Sequence, residues 1–163
     1  MRVLRRQAVV QRQHPATHGR RQVPGQIAVR VDRTGDVAAA VQLAIGGAGA
    51  ERVVLMGHSF GGAVAVRVGV GLHDMVAGVA TFATQSAGCE LAAGLQGLPF
   101  LLFHGERDEI LPVEASEMVR AIAGHGEVVR LPGDGHLLAK SDHAIWERLE
   151  SFLPPLLSTA LGD

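Results

Sequence analysis

The fold is decided by the stretch from Arg52 to Gly62, which reads RVVLMGHSFGG. The part from 52 to 56 consists of Arg52 and a continuous apolar run behind it, as in a strand that is buried on both faces of a sheet. The next part fits Gly-x-Ser-x-Gly, with the serine at Ser59, and a helical stretch from Gly61 to Leu72 follows it. Strand, motif and helix together predict a sharp turn that presents Ser59 as an exposed nucleophile.

The residues around Ser59 suit that role. Gly57 and Gly61 leave room where the backbone passes close to itself, and the positive end of the following helix lies beneath the serine hydroxyl. The Phe60 N–H is then placed to donate to a developing oxyanion. Glycine-rich turns of this kind also bind phosphate, but this one has neither the lysine of a P-loop nor the spacing of a dinucleotide-binding loop.

Outward from this stretch, strands and helices alternate. Further strands are predicted at 75–81, 99–103 and 127–131, and Gln26–Val31 is a candidate for another short one. Helices are predicted at 36–45 with Asp36 as its cap, at 112–123, and at 141–153, where Pro154 and Pro155 end it. Strands that alternate with helices, without an internal repeat, predict an α/β fold with a parallel sheet.

Two later loops contain partners for the serine, which needs a base to take its proton and an acid to orient that base. The loop after the strand at 99–103 carries the acids Glu106, Asp108 and Glu109, and the loop after the strand at 127–131 carries His136. Both loops lie at the carboxyl ends of parallel strands, where such sheets place their functional sites.

With these loops, the chain resembles the C-terminal part of an α/β-hydrolase, nearest to the small serine hydrolases of the dienelactone-hydrolase-like and esterase type. The family's acid segment, His-Gly-x-x-Asp-x-x-x-Pro, matches residues 104–112. Its histidine loop, of the Gly-x-Gly-His type, matches residues 133–136. The resemblance covers about residues 36–155 and is specific for the superfamily, but not for a substrate.

The resemblance implies a truncated α/β-hydrolase fold, a mostly parallel sheet of about four to five strands flanked by helices. It implies a carboxylesterase-like serine hydrolase that cleaves a small carboxylic ester through Ser59, Asp108 and His136. The Phe60 N–H would be the oxyanion donor, and neither a cofactor nor a metal is expected. Two alternatives stay open: a catalytically weak remnant or interaction module, and an acyl hydrolase of the thioesterase or peptidase type.

Neighbouring side chains compete for these roles. Position in the family's acid segment favours Asp108 over Glu106 and Glu109 as the acid.

A small acyl pocket is expected to be lined by three apolar residues: Phe60, Phe82 and Leu137. Three other histidines are expected in the turn, in the core and at the surface, respectively: His58, His104 and His143. A solvated loop position is expected for Asp134, and core positions on the last helix are expected for Trp146, Leu149, Phe152 and Leu153.

Composition narrows the class of protein. The 163 residues suit one domain, and 47% hydrophobic against 19% charged residues exclude a disordered chain. Arg67 interrupts the longest apolar stretch, so no membrane partner is expected. Cys89 is the only cysteine, which fits a reducing, cytoplasmic setting. With 4% aromatics and no tyrosine, the chain has few side chains that could stack on nucleobases. The expected partner is therefore a small-molecule ester and not a nucleic acid.

The start of the chain differs from the rest. Residues 1–33 hold eight arginines and one acid, whereas the remainder carries a net charge of about −8. Residues 1–26 are expected to form a poorly ordered leader, and 27–163 a hydrolase domain without the family's N-terminal strands and its second oxyanion donor. One flank of the strand at 52–56 would then be bare. We expect Gln26–Val31 to cover it, or a second copy of the chain to do so in a homo-oligomer.

Overall fold

The computed structural model of the chain describes residues 9–12 and 33–158. Within them, one sheet of five parallel strands follows chain order: β1 (Val9–Arg12), β2 (Val53–His58), β3 (Val76–Phe82), β4 (Phe100–Gly105) and β5 (Glu127–Leu131). The accompanying α-helices are α1 (Thr34–Gly46), α2 (Phe60–Gly71), α3 (Glu114–Ala123) and α4 (Asp142–Ser158). Short 3-10 helices lie at His73–Met75 and Ala92–Leu95. The predicted α/β class and parallel sheet are confirmed.

Alternate strand residues enter two separate cores, so both faces of the sheet are covered. On one face, Val79 and Leu102 belong to a cluster with residues of α1, α2 and α3. On the other face, Ala80 and Phe103 cluster with Leu149 of α4. Strands β3 and β4 are buried almost throughout, as is typical of parallel strands between helical layers. Because all five strands are parallel, the loops after β2, β4 and β5 leave the same edge of the sheet.

The flank of β2 that we expected to be bare is occupied by β1. The two strands pair in parallel, with Val9 opposite Val54 and Arg12 opposite Gly57. Strand β1 lies within the segment predicted to be a poorly ordered leader, because two valines between polar residues are too short an apolar pattern to predict a strand. The expectation of a bare flank was therefore wrong. Gln26–Val31 and the remainder of the leader lie outside the described residues, and the homo-oligomer stays a prediction.

Helix α1 begins earlier than the sequence predicted. Its first residue is Thr34 and Arg33 precedes it, so Asp36 lies inside the first turn and is not the cap. The Asp36 carboxylate instead accepts a hydrogen bond from the Arg33 guanidinium at 3.1 Å. An acid in the first turn still complements the positive end of the helix, which is why the local composition was informative about the start.

Helix α4 runs through Pro154 and Pro155 to Ser158, beyond its predicted end. Each proline removes one helical hydrogen bond. The turn persists because Leu156 and Phe152 pack over Gly78 of β3, where no side chain competes for the space. The prediction that Trp146 lies in the core was wrong, since it is 62% exposed. Along 9–12 and 33–158, no helix combines the length and hydropathy needed to cross a membrane.

Cys89 lies in the connection between β3 and β4 and is completely buried. Its Sγ donates to the carbonyl oxygen of Gln85 at 3.4 Å. Burial, helped by the negative charge of Glu90, raises the pKa of the thiol to about 12. The reactive thiolate form is therefore scarce in the folded chain at neutral pH.

Candidate active site

The turn between β2 and α2, which we call the elbow (residues 57–62), holds Ser59 in a strained conformation. Its backbone angles, φ 53° and ψ −120°, belong to a region that L-residues rarely adopt. A side-chain carbon at Gly57 would collide with the Gly61 carbonyl, and one at Gly62 would collide with Thr84. The Ser59 N–H donates to the Phe82 carbonyl of β3 at 2.8 Å, which ties the elbow to the neighbouring strand.

Helix α2 begins at Phe60, directly after Ser59. The positive end of this helix therefore lies beside the serine, where it favours negative charge. The structure thus places Ser59 and Phe60 in the arrangement that the strand–turn–helix pattern predicts. Residues 13–32 lie outside the described residues, and the expected lack of a second oxyanion donor stays a prediction.

The loop after β4, which we call the acid loop (residues 106–112), buries the side chain of Asp108 completely. Its Oδ1 accepts hydrogen bonds from the N–H groups of Ile110 and Leu111, both at 2.8 Å. Its Oδ2 accepts from Nδ1 of His136 at 2.8 Å. The alternative acids Glu106 and Glu109 are exposed. Of the three candidates, Asp108 is the one in contact with the histidine.

The surroundings of Asp108 favour its ionised form. Burial alone would raise the pKa of this carboxyl. The hydrogen bonds from the Leu111 N–H, from His136 and from the Ile110 N–H outweigh that effect and hold the pKa of Asp108 below its usual value. The carboxylate therefore remains charged at neutral pH, and a charged acceptor orients the His136 ring more strongly than a neutral one.

The loop after β5, which we call the histidine loop (residues 132–141), brings His136 to the elbow. His136 is buried and donates from Nδ1 to Asp108, so its Nε2 is the nitrogen left to act as a base. The carbonyl oxygen of His136 accepts a hydrogen bond from Nε2 of His58 at 2.8 Å. Their rings meet edge to face, with centroids 4.9 Å apart. Since His58 immediately precedes Ser59, this contact joins the histidine loop to the elbow.

The sequence predicts His58 only as a turn residue and Asp134 as a solvated acid, whereas in the structure both side chains make hydrogen bonds that hold the histidine loop. Asp134 is 2% exposed, so the expectation of a solvated side chain was wrong. Its carboxylate accepts from the N–H groups of Gly135 and Lys140, at 2.9 and 3.0 Å, and so closes the loop around His136. Its carbonyl accepts the Arg107 N–H at 2.9 Å, which attaches the histidine loop to the acid loop.

The pKa of Asp134 is also below its usual value. Burial raises it, but hydrogen bonds from the Ser141 hydroxyl and from the Lys140 and Gly135 N–H groups lower it further than burial raises it. The histidine loop also contains a residue with a strained backbone, Leu138, whose φ is 54°. Strain of this kind persists only where surrounding bonds determine the conformation, and it concentrates at functional sites.

The three apolar residues predicted to line an acyl pocket occupy different environments. Leu137 is 78% exposed and Phe60 is 36% exposed, and each directly follows a candidate catalytic residue in sequence. Phe82 is half-buried and stacks on Phe103, with ring centroids 5.1 Å apart. Phe82 is thus anchored in the core below, whereas Phe60 and Leu137 present apolar surface beside Ser59 and His136.

The remaining histidines agree with their expected structural positions. His143 is exposed on α4, with its Nδ1 3.9 Å from a carboxylate oxygen of Glu147. His104 is fully buried at the end of β4. Neither of them replaces His136 as the histidine beside the elbow.

Comparisons with known proteins agree with the α/β-hydrolase fold. The sequence model of the phospholipase/carboxylesterase family matches residues 37–153. No curated protein shows significant similarity to the chain. The solved structure of Est1E from Butyrivibrio proteoclasticus is 18% identical with a TM-score of 0.66, over 77% of this chain and 69% of that one.

Two further solved structures share the fold. A predicted CIB-like hydrolase from Thermoplasma acidophilum is 22% identical with a TM-score of 0.61, over 75% of this chain and 59% of that one. The esterase domain of a Rhodothermus marinus protein is 23% identical with a TM-score of 0.57, over 72% and 65%. This chain therefore spans roughly three-fifths to two-thirds of their length. Since the family model matches most of it, the chain belongs to the phospholipase/carboxylesterase family of α/β-hydrolases.

Proposed function

We propose that this protein is a serine hydrolase that cleaves a small carboxylic ester through an acyl-enzyme intermediate. The proposal depends on one observation above all: the buried Asp108 carboxylate is hydrogen-bonded to His136, and His136 is bonded through His58 to the strained elbow that carries Ser59. A nucleophile, a base and an orienting acid at one edge of a sheet are the parts that acyl transfer requires.

In the proposed reaction, Ser59 Oγ attacks the ester carbonyl carbon while its proton passes to Nε2 of His136. The carbonyl oxygen becomes an oxyanion, which the Phe60 N–H and the positive end of α2 stabilise. The carbon–oxygen bond to the alcohol breaks as His136 returns the proton to the departing alkoxide. Water then repeats the sequence on the acyl-enzyme, giving its proton to His136 and releasing the acid and free Ser59.

Asp108 keeps the His136 ring in the tautomer that this reaction needs. With Nδ1–H donated to the carboxylate, Nε2 has a lone pair available for the serine proton. When His136 becomes an imidazolium, the adjacent negative charge stabilises it. The lowered pKa of Asp108 ensures that this charge is present across the neutral range.

The apolar surface of Phe60 and Leu137 supports an ester with a small hydrocarbon acyl group. Both side chains are exposed next to the proposed nucleophile and base, where they can contact the acyl chain and exclude water from it. The half-buried Phe82 is proposed to close the pocket from below. Matched ester, thioester and anilide substrates with one acyl group would separate an esterase from the thioesterase and peptidase alternatives by their kcat/KM values.

Labelling with a fluorophosphonate tests the nucleophile directly. An activated serine forms a covalent adduct, so intact mass should show one adduct on the wild-type chain and none on Ser59→Ala. Ser151→Ala is the matched control, because Ser151 is an exposed serine of α4 whose hydroxyl hydrogen-bonds to Arg148. It should be labelled like the wild type. Folded wild-type protein without an adduct would instead support the remnant or interaction-module alternative.

A further inference from the structure

A second histidine lies behind the acid loop. His104 has no solvent exposure, and its Nε2 lies 3.0 Å from the Leu111 carbonyl oxygen and 3.2 Å from Asp108 Oδ2. Both neighbours are hydrogen-bond acceptors, so Nε2 must carry a proton. On the other side of the ring, Nδ1 lies 2.7 Å from the hydroxyl of Ser116 on α3, within hydrogen-bond distance. Ser116 is itself completely buried.

This histidine reaches the Asp108 carboxylate by two routes. Its protonated nitrogen faces Oδ2 directly, on the oxygen that also accepts from His136. It also bonds the carbonyl of Leu111, whose own N–H donates to Oδ1. Both carboxylate oxygens are therefore fixed, directly or through one residue, by the same buried ring.

The other charged groups near Asp108 occupy different positions and do not make the contacts that His104 makes. Along residues 33–158, His136 is the other ionisable side chain that pairs with Asp108, and the Glu109 carboxylate lies against Gly135 of the histidine loop. Helix α3 contributes the uncharged Ser116, while its Glu117 is paired with Arg130 of β5 at the surface.

We propose that His104, locked by Ser116, is a positioning residue that holds the Asp108 carboxylate toward His136. This inference rests on the proposed function, since it assigns His104 a part in orienting the catalytic base. The ring itself touches neither the substrate nor the nucleophile. The buried pair of Ser116 and His104 thus orients Asp108, in the same way as Asp108 orients His136.

Two substitutions separate the hydrogen bond from the packing. The amide nitrogen of Gln takes the place of Nε2, so His104→Gln keeps a donor to Leu111 and Asp108. His104→Leu fills a similar volume without any donor. We expect His104→Leu to lower kcat by about ten- to a hundredfold, the range that a misplaced catalytic group costs, with a smaller effect on KM. His104→Gln should retain most of kcat.

The titration of His136, followed by NMR, gives a reading that needs no catalysis. If Asp108 is less well aimed, it stabilises the His136 imidazolium less, and the titration midpoint should move to lower pH by about half a unit in His104→Leu. His104→Gln should restore the midpoint. The matched controls are His125→Leu and His125→Gln, because His125 also bonds two backbone carbonyls, of Ala123 and Leu98, away from the acid loop. Neither control should move it.

The outcomes distinguish this inference from the proposed function. Wild-type protein without ester hydrolysis or labelling would remove the proposed function, while the His136 titration would still show whether His104 positions Asp108. An unchanged midpoint in folded His104→Leu, a midpoint moved to higher pH, or equal losses in the Gln and Leu variants would overturn the inference. If His104→Leu does not fold, Ser116→Ala takes its place. It removes the hydrogen bond that holds the ring at Nδ1, and it should shift the midpoint in the same direction by less.

Discussion

At the scale of single residues, Ser59 combines a chemical role with a structural cost. Its φ of 53° with ψ of −120° is favourable for glycine and strained for other residues, at a cost of about 1–3 kcal/mol. We expect Ser59→Gly to raise the free energy of unfolding by about 1 kcal/mol while abolishing hydrolysis, because it removes the strain together with the nucleophile. Urea denaturation would measure this.

Two comparisons control for the loss of the side chain itself. Ser59→Ala removes the hydroxyl but keeps Cβ, so it should not gain the same stability. Ser151→Gly should be destabilising, since Ser151 lies inside α4, where glycine is unfavourable. A Ser59→Gly variant no more stable than Ser59→Ala would show that the elbow stores no strain at this residue.

The acid side chain gives a second prediction at this scale. Asp108→Asn should lower kcat by about three to four orders of magnitude, because the amide favours the wrong tautomer of His136. Glu109→Gln, the matched control on the same loop, should change kcat less than twofold, roughly within the scatter of a surface substitution. A larger loss in Glu109→Gln would reverse the assignment of the acid.

The pH profile of ester hydrolysis follows from the same residues. The pKa of Asp108 is lowered, so its carboxylate is already ionised well below neutral pH and contributes no limb there. His136 must be neutral to accept the serine proton. Hydrolysis should therefore fall as the pH drops through the range where histidine titrates, ordinarily near about 6.5. A profile that is flat down to about pH 5 would exclude a histidine base.

At the scale of elements, strand, elbow and helix behave as one unit because their backbones touch. Gly57→Ala would push a carbon into the Gly61 carbonyl, so we expect a loss of several kcal/mol, about 3 or more, or insoluble protein. Gly71→Ala, at the exposed end of α2 with open space around it, should be neutral or stabilising by up to about 1 kcal/mol. Thermal unfolding of the two variants would test this contrast.

The strands, helices and site contacts differ in how far the sequence predicts them. Strands β2 to β5 and helices α2 and α3 were predictable because apolar runs and 3.6-residue patterns lie between clear glycine and proline signals. The loops after β4 and β5 offered three acids and His136, the resemblance to the family's motifs favoured Asp108, and the hydrogen bond between Asp108 and His136 was not visible before folding. The links through His58, His104 and Asp134 escaped prediction because they join residues between 6 and 78 positions apart or depend on burial.

At the scale of the whole molecule, β1 protects the strand that carries the elbow. It covers the flank of β2 along four paired positions. Deleting residues 1–12 should expose that flank and cause concentration-dependent association, because an unpaired apolar strand is a template for another chain. Light scattering at several concentrations would detect it. Deleting only residues 1–8, which keeps β1, should not, and a monomeric chain without residues 1–12 would contradict the protective role.

The buried thiol of Cys89 gives the chain a built-in reporter of its own opening. A thiol with a pKa of about 12 and no solvent exposure reacts with disulfide reagents only in molecules that have transiently opened. Because it is the sole sulfhydryl of the sequence, the modification rate at low denaturant counts one event per molecule. At high reagent concentration the modification rate reaches a limit, and this limit equals the opening rate of the β3–β4 connection. Conformational kinetics can thus be followed without any introduced probe.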